Sequence, residues 1–260
     1  MRVSIFGAGY VGAVTGACLA DLGHDVIIAD PDLSKVKRIR GGHAPVAETE
    51  LEEIVSRAVA KGALKATADC AEAVMESDLS LICAEPEDGA PLQDGIRAVC
   101  SRIGVAIGKK ESYHSVVLRS TGAPGTAHSV AIPTLEDCSK MTAGPDFGFG
   151  NNPAFLRAGA AVRDFFHPPK IVIGALDEKT ARAVSALYKG IDAPAFVTQI
   201  RIAEVVQYAE SAWHASKAGF AGELGHIVKT HGVDARKVMD ILCLDVPPVL
   251  QKRLIAALEI

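Results

Sequence analysis

Residues 2–30, RVSIFGAGYVGAVTGACLADLGHDVIIAD, decide the fold of this 260-residue chain. Short apolar runs alternate here with glycine-marked turns, a pattern that predicts a strand at 2–6, a helix from about 10 to 22 and a second strand at 25–30. The turn between the first strand and the helix, GAGYVG, has glycines at 7, 9 and 12. The order strand, glycine turn, helix, strand predicts a β-α-β unit.

The same stretch has an alternative interpretation as a membrane anchor or export signal, because Val3 to Ala20 contain no charged side chain. A spanning helix needs about 20 predominantly apolar residues, and a signal peptide needs a basic start and a small-residue cleavage site. Only Arg2 is basic here, and the first two glycines of the turn would each weaken a lone helix by about 1 kcal/mol. We therefore expect no membrane segment.

The glycine turn and the acid that follows the second strand together predict a dinucleotide site. Gly7 lets the chain turn sharply, Gly9 lets the backbone approach a pyrophosphate, and Gly12 lets helix and strand pack closely. The amino end of the helix supplies N–H groups and a positive dipole end. Asp30 is placed to accept hydrogen bonds from the adenosine ribose, and its charge would repel a 2′-phosphate. NAD is therefore the predicted cofactor, in preference to NADP.

Composition excludes several other classes of function. A net charge of −4 without a Lys/Arg run argues against a nucleic-acid partner. The six cysteines are irregularly spaced, without CxxC or HExxH, so we expect neither a disulfide framework nor a metal site. Reduced thiols are typical of a cytoplasmic protein, which is the predicted location.

The rest of the chain extends the alternation of strands and helices. Further strands are predicted at 78–83, 115–120, 170–174 and 195–197, and helices at 34–40, 50–60 and 178–189. This alternation favours an α/β fold with a doubly wound, Rossmann-type, mostly parallel sheet. Because ligands bind such sheets outside the carboxyl ends of the strands, the informative loops follow Phe6, Asp30, Cys83 and Ser120.

The pattern changes near residue 200. A proline-free stretch from Ile200 to Gly232 predicts one long central helix, and Asp234 is a predicted N-cap of a second helix in a short helical C-terminal region. We therefore divide the chain into an NAD-binding Rossmann-type domain at 1–197 and a helical dimerisation and substrate region at 198–260.

Six stretches recur in order along nearly the whole chain in a known family: SIFGAGYVGAV, RSTGAPGT, IPTLEDCS, DFGFGNNPAFLR, WHASK and GVDARKVMDILC. The chain resembles the UDP-glucose/GDP-mannose dehydrogenases, most of all their GDP-mannose 6-dehydrogenase branch. The resemblance implies an NAD cofactor, a small-molecule substrate and a homodimer formed through the long helix. It also implies NAD contacts at Tyr10, Val11, Asp30, Lys35 and Thr121.

The resemblance is incomplete at the catalytic residues. The family oxidises an alcohol to a carboxylate in two hydride transfers, the second through a thioester on the cysteine of a GGxCxPKD motif, and these 260 residues contain no such motif. Cys243 lies among apolar residues of a predicted helix, so we expect a buried thiol there and not a substitute nucleophile. The thioester chemistry is therefore expected to be absent.

Other family positions have also changed. The two glutamates of the family motif NPEFLRE are Ala154 and Ala158 here, a family asparagine is Gly222, and the loop motif VGTP is AEPE at 84–87. The family's Lys, Asn and His on one face of the long helix correspond to Gln207, Ser211 and His214. These changes predict a degenerate active site, because Gln and Ser cannot exchange protons near neutral pH as a positioned Lys can.

Three residues remain as predicted catalytic groups: Thr121, His214 and Lys217. His214 suits a general base for one alcohol oxidation, although it could equally be a packed histidine or an i,i+4 partner of Glu210. Lys217 has a competing interpretation as a solvated or dimer-surface lysine, and Thr121 as an ordinary residue between strand and turn.

Three hypotheses for the function follow. The first is an NAD-dependent oxidoreductase acting on CH–OH, which performs a single two-electron alcohol/carbonyl step on a substrate other than GDP-mannose. The second is a catalytically inactive NAD-binding homologue that acts as a sensor or dimer partner. The third is a truncated gene product, although the changes at Ala154 and Gln207 do not follow from truncation.

Overall fold

The computed structural model of the protein describes residues 1–85, 91–120 and 122–242. Strands and helices alternate along the first two hundred residues. The strands are β1 Arg2–Phe6, β2 Asp25–Ala29, β3 Leu64–Thr67, β4 Leu79–Ile82, β5 Ser115–Leu118, β6 Gly148–Asn151, β7 Ile171–Ala175 and β8 Ala195–Thr198. The helices are α1 Tyr10–Asp21, α2 Leu33–Arg40, α3 Leu51–Ala60, α4 Cys70–Met75, α5 Leu92–Ile107, α6 Ile132–Ser139, α7 Ala161–Phe166, α8 Glu178–Leu187, α9 Ile200–Thr230 and α10 Ala235–Leu242, and a π-helical turn, Ala127–Ala131, leads into α6.

The eight strands form one sheet in the order β3-β2-β1-β4-β5-β6-β7-β8. All neighbours pair in parallel except β6 and β7, which are antiparallel. The strand order reverses at β1, whose last residue, Phe6, pairs with Ala29 of β2 and Ile82 of β4. The doubly wound, mostly parallel sheet predicted from the sequence is confirmed, and β1 marks its topological switch point.

The sheet is covered by apolar side chains on both faces, as a parallel sheet requires. One face packs Ile5 and Ile28 against Leu19 of α1, and the other packs Ile82 and Phe149 among residues of α5 and α6. All five side chains are at most 1 % exposed. The central strands therefore lie inside the core, and only their ends and connecting loops can carry a site.

Short polar caps set the boundaries of several helices. Asp32, Asp69 and Asp177 each accept a backbone hydrogen bond at the start of α2, α4 and α8. Asp234 Oδ1 likewise accepts from Arg236 N at 2.9 Å, so the predicted N-cap of α10 is confirmed.

Some elements escaped the sequence analysis: β3, β6, α4, α5, α6 and α7. Strand β6 has the sequence Gly-Phe-Gly-Asn, whose glycines and asparagine are depleted in strands, so local propensity gave no signal there. The strand is fixed by pairing on both sides, with β5 and with β7.

The chain divides into two compact units, Met1–Gln207 and a second that begins at Tyr208. The first contains the whole sheet and the start of α9. The described part of the second contains the rest of α9 and the whole of α10. The functional division into 1–197 and 198–260 stays a prediction. No helix within the described ranges has the length and apolar character needed to cross a membrane.

Candidate functional site

A cavity of about 450 Å³ lies at the carboxyl ends of β1, β2 and β4 in the first unit. Its lining comes from the loops that follow these three strands and β3, and from helices α2, α4 and α5. Three of the four loops predicted as informative, those after Phe6, Asp30 and Cys83, therefore contribute to one site. The cavity lies beside the switch point of the sheet, where open α/β sheets bind their ligands.

The glycine turn has a shape that other residues could not adopt. Gly7 has a φ of +109°, and a Cβ atom there would lie 2.5 Å from the carbonyl oxygen of Cys83. A Cβ atom on Gly12 would overlap the carbonyl oxygen of Gly7. Helix α1 therefore begins directly against the end of β1, next to the cavity-lining Gly7 and Gly9.

Asp30 is held rigidly at the end of β2. Its side chain is buried, Oδ2 accepts a hydrogen bond from Ala8 N at 2.5 Å, and Oδ1 accepts one from Asp32 N at 2.8 Å. The carboxylate thus joins the glycine turn to the start of α2. Each carboxylate oxygen can accept more than one hydrogen bond, so Asp30 retains capacity for hydroxyl groups in the cavity.

A second carboxylate, that of Glu85, caps the amino end of α1. Its Oε1 accepts a hydrogen bond from Tyr10 N at 2.6 Å. A Cβ atom built on Gly9 would overlap the Glu85 carboxyl group, so this group fills the space that the missing glycine side chain leaves open. The AEPE stretch departs from the family pattern, but its sequence alone does not predict this contact.

The remaining polar lining of the cavity includes two basic groups, Lys35 and Arg102, and the thiols of Cys70 and Cys83. Burial raises the pKa of Cys83 to about 12 and that of Cys70 to about 11. Both thiols are therefore neutral and poor nucleophiles near pH 7. Arg102 and Cys70 were missed because the helices that carry them, α5 and α4, were not predicted.

The predicted cofactor residues occupy two kinds of position. Those that line the cavity are Gly7, Gly9, Asp30 and Lys35. Two others are not among the lining residues: Gly12 packs against the carbonyl group of Gly7, and Val11 packs against the apolar core. Thr121, predicted both as a cofactor contact and as a catalytic group, lies outside the described residues.

Tyr10 presents only its backbone to Glu85. Its hydroxyl donates to the carboxylate of Glu48, and also lies 3.3 Å from Arg157 O. Burial and the hydrogen bond to Glu48 raise the pKa of the Tyr10 hydroxyl to about 12. The same Glu48 carboxylate accepts from Gly159 N at 2.8 Å and Ala161 N at 3.3 Å. The side chain of Tyr10 therefore ties α1 to the 153–160 segment.

That segment carries the two alanines at the family's glutamate positions, Ala154 and Ala158. It is anchored by Arg157, which forms two side-chain hydrogen bonds of 2.9 and 2.6 Å to Asp164. The segment is therefore held in place by an ion pair. Neither alanine supplies a group that could bind or transfer a proton.

The predicted catalytic residues of the long helix belong to the second unit. His214 is exposed, and its Nε2 lies 3.8 Å from Glu210 Oε1, which confirms the predicted i,i+4 pair. Lys217 is only 7 % exposed, and its Nζ lies 5.3 Å from the centre of the Trp213 ring. The interpretation of Lys217 as a solvated lysine is therefore wrong, whereas the catalytic roles of His214 and Lys217 stay predictions.

Cysteine chemistry has limited scope in the described part of the chain. Five cysteines carry free thiols: Cys18, Cys70, Cys83, Cys100 and Cys138. Burial raises the pKa of Cys18 and of Cys100 to about 12, as it does for Cys83. Cys243, expected as a buried thiol, lies outside the described residues.

Comparison with known proteins agrees with the geometry of the site. Residues 1–192 match the NAD binding domain of the UDP-glucose/GDP-mannose dehydrogenase family. The GDP-mannose 6-dehydrogenase of Pseudomonas aeruginosa is 44% identical over 248 residues, which cover 94% of this chain and 57% of that enzyme. The chain thus spans a little over half the length of such curated relatives.

Solved structures give the same result. A ternary complex of GDP-mannose dehydrogenase from Pseudomonas aeruginosa superposes with a TM-score of 0.89 at 44% identity, over 94% of this chain and 56% of that one. A UDP-glucose dehydrogenase from Pyrobaculum islandicum superposes with a TM-score of 0.87 at 37% identity, over the same shares of the two chains. The chain belongs to the UDP-glucose/GDP-mannose dehydrogenase family and contains that family's NAD-binding domain.

Proposed function

We propose that the cavity binds NAD with the adenosine ribose at Asp30 and the pyrophosphate over the glycine turn. The observation that carries this proposal is the shape of the turn. The conformation of Gly7 and the close contact at Gly12 start α1 directly against the end of β1, next to Gly7 and Gly9, which line the cavity. Helix N–H groups in the first turn have no partner within the helix and stabilise an anion there.

The described lining residues fit the adenosine and pyrophosphate parts of NAD, with one exception. Asp30 can accept ribose hydroxyls, and Lys35 and Arg102 can balance phosphate charge. The buried carboxylate of Asp30 disfavours a 2′-phosphate, which supports NAD over NADP. The exception is Glu85, whose carboxylate lies where a phosphate would approach Gly9.

For the reaction, we propose a single two-electron step between an alcohol and a carbonyl on a substrate other than GDP-mannose. Bound NAD would supply the hydride acceptor. The support is the set of changed positions: Ala154 and Ala158 provide no carboxylate, and the amide of Gln207 cannot act as an acid or base near neutral pH. In this proposal His214 removes the hydroxyl proton, and Thr121 and Lys217 remain the other candidate catalytic groups.

A second candidate function is a catalytically inactive NAD-binding homologue that serves as a sensor or dimer partner. The amide of Gln207 cannot act as a base, and the Glu85 carboxylate occupies part of the proposed cofactor site; both favour this alternative. A homodimer through α9 is part of both proposals. It is supported by large apolar side chains of α9 that are about half exposed, among them Tyr208, Trp213 and Ile227.

Two measurements test and separate these proposals. Calorimetric titration with NAD and NADP should give binding of NAD and at least tenfold weaker binding of NADP. Incubation with NAD and a panel of hydroxy compounds should then produce NADH absorbance with at least one compound. His214→Ala should abolish that signal while NAD binding stays unchanged. NAD binding without turnover across a broad panel would favour the inactive homologue, and absence of NAD binding would contradict both functions.

A further inference from the structure

The carboxylate of Glu85 lies at the amino end of α1, beside the glycine turn that borders the cavity. It accepts the N–H of Tyr10, the first residue of α1, at 2.6 Å. It also fills the volume beside Gly9, the position at which a Rossmann-type turn needs a glycine so that a pyrophosphate can approach. A carboxylate and a phosphate interact with a helix amino end through the same N–H groups and the same dipole.

From this we propose that Glu85 is an intramolecular competitor of the dinucleotide pyrophosphate and sets the affinity of the cavity for NAD. The inference rests on the proposed NAD function and goes beyond it. The free protein holds its own anion on α1, and a dinucleotide binds only when the Glu85 side chain rotates out of the turn.

The competition is reversible because the obstructing group is the end of a flexible side chain. Glu85 is exposed, and its hydrogen bond to Tyr10 N is charge-assisted but open to solvent. The backbone parts of the site remain in place, because the turn is fixed by contacts that do not involve Glu85, such as Gly7 N to Ala29 O at 2.9 Å and Ala8 N to Asp30 at 2.5 Å.

Charge adds to the effect of space. The described lining of the cavity carries three carboxylates, Asp30, Asp32 and Glu85, against two basic groups, Lys35 and Arg102. A bound pyrophosphate would add its negative charge to a lining that is already acidic, so the two would repel each other. Removal of the Glu85 charge would leave two acids and two bases, so the neutral variant is expected to bind a phosphate more tightly even where the side chain still fills the turn.

The experiment is calorimetric titration of the whole chain and three variants with ADP-ribose, NAD and adenosine. Glu85→Gly opens the turn and removes the charge, Glu85→Gln removes the charge and keeps the volume, and Glu53→Gln removes an exposed acid elsewhere. ADP-ribose and NAD contain the pyrophosphate, whereas adenosine does not. Circular dichroism confirms the fold of each variant before titration.

The expected result is a gain of about tenfold or more in affinity for ADP-ribose and NAD with Glu85→Gly, a smaller gain with Glu85→Gln, and no gain with Glu53→Gln, with tenfold corresponding to about 1.4 kcal/mol. Adenosine affinity should change less than about twofold in all variants, because adenosine does not reach the helix end.

Without ligand, Glu85→Gly should also melt a few degrees lower, roughly 2–4 °C, because α1 loses its capping carboxylate. Saturating ADP-ribose should reverse this loss, which gives a readout independent of activity.

The possible failures are distinct. If NAD and ADP-ribose bind the wild type and bind Glu85→Gly no more tightly, the competition is wrong and the proposed NAD function stands. If adenosine gains as much affinity as ADP-ribose, Glu85 acts on the whole cavity, and competition with the pyrophosphate is again wrong. If folded Glu85→Gly binds none of the three ligands, the proposed function itself is wrong, and the inference with it.

Discussion

Polar groups gather at both ends of strands β1 and β4, and the two clusters differ in how their hydrogen bonds are satisfied. Towards the amino ends, Ser4, Ser77, Ser80 and His114 are fully buried and bonded to one another. At the carboxyl ends, the N–H groups of the glycine turn are bonded to carboxylates that border a cavity. The first cluster is closed, and the second is open to a ligand.

The closed cluster has a single consistent direction of donation. Lys110 Nζ has only donors and lies 3.2 Å from His114 Nδ1, so Nδ1 accepts. Nε2 of the same neutral ring then donates to Ser80 Oγ at 2.7 Å, and Ser80 lies 2.8 Å from Ser4 Oγ. Every member has a partner within the fold, so these residues stabilise the sheet and leave no capacity for a ligand.

The open cluster differs because its carboxylates can still bind a ligand. Asp30 keeps acceptor capacity after bonding two N–H groups, and Glu85 can leave its N–H group by rotation. The same chemistry of carboxylate and backbone N–H therefore gives structure where it is enclosed and a binding site where it faces a cavity.

The largest effect is expected from Gly12→Ala. The added methyl group would overlap the backbone oxygen of Gly7, which cannot move aside as a flexible side chain could. We expect a loss of about 3 kcal/mol or more in the free energy of unfolding, measured by urea denaturation.

The matched control is Gly222→Ala in α9, where the added carbon would meet no described atom within 4 Å beyond its chain neighbours and its own helix backbone. It should leave stability unchanged or raise it by up to about 1 kcal/mol, because alanine favours the helix. A Gly12→Ala protein as stable as Gly222→Ala would show that the turn is not as tightly packed as described.

The next effect concerns pH and the closed cluster. Burial, followed by the charge of Lys110, lowers the pKa of His114 from 6.5 to about 3. The unfolded chain therefore binds a proton at His114 below about pH 6.5, while the folded protein does not until about pH 3, and stability falls as the pH falls through this window. At pH 5 the loss from this group is about 2 kcal/mol relative to pH 7.5.

Urea denaturation at several pH values measures this loss. His114→Gln should flatten the dependence between pH 7.5 and 5, whereas His128→Gln, which removes an exposed imidazole, should not. An unchanged slope in His114→Gln would contradict the neutral, closed cluster.

A third prediction concerns the open cluster. Asp30→Asn keeps the shape of the side chain but removes its charge and half of its acceptor capacity. We expect NAD affinity to fall about tenfold and the preference for NAD over NADP to shrink, as measured by calorimetry. Asp137→Asn, which alters an exposed ion pair with Lys140, should change neither quantity. Equal NAD affinity in Asp30→Asn and the wild type would remove Asp30 from the site.

The smallest effect is expected from the Tyr10 hydroxyl group, which is bonded to Glu48 within the protein. Tyr10→Phe removes the hydrogen bond to Glu48 but leaves the backbone N–H that faces Glu85. We expect a loss of about 1 kcal/mol in stability and little change in NAD affinity. Glu53→Gln, at an exposed position of α3, is the control and should change neither. A large loss of NAD affinity in Tyr10→Phe would mean that the side chain also shapes the cavity.

The sequence predicted the β1-α1-β2 unit well because its information is local. Glycines at 7, 9 and 12, an apolar strand on each side and Asp30 together leave one fold for residues 2–30, and the structure has it. Strand β6 was missed for the opposite reason, since its glycines carry no strand preference and its place is set by neighbouring strands.

The candidate site was predictable to a similar extent. Gly7, Gly9, Asp30 and Lys35 could be identified from a motif of known spacing, and they line the cavity. The contact between Glu85 and Tyr10 joins residues 75 positions apart. It depends on β1 and β4 ending side by side, which a single stretch of sequence does not reveal. An acid in the loop that follows a central parallel strand was the only available signal.

The most direct test of the account is a crystal structure of the protein grown with NAD. The account predicts the pyrophosphate over Gly9 and the N–H of Tyr10, an adenosine ribose hydroxyl bonded to Asp30, and the Glu85 carboxylate turned away from the glycine turn. A dinucleotide bound elsewhere on the chain, with Glu85 still bonded to Tyr10 N, would contradict it.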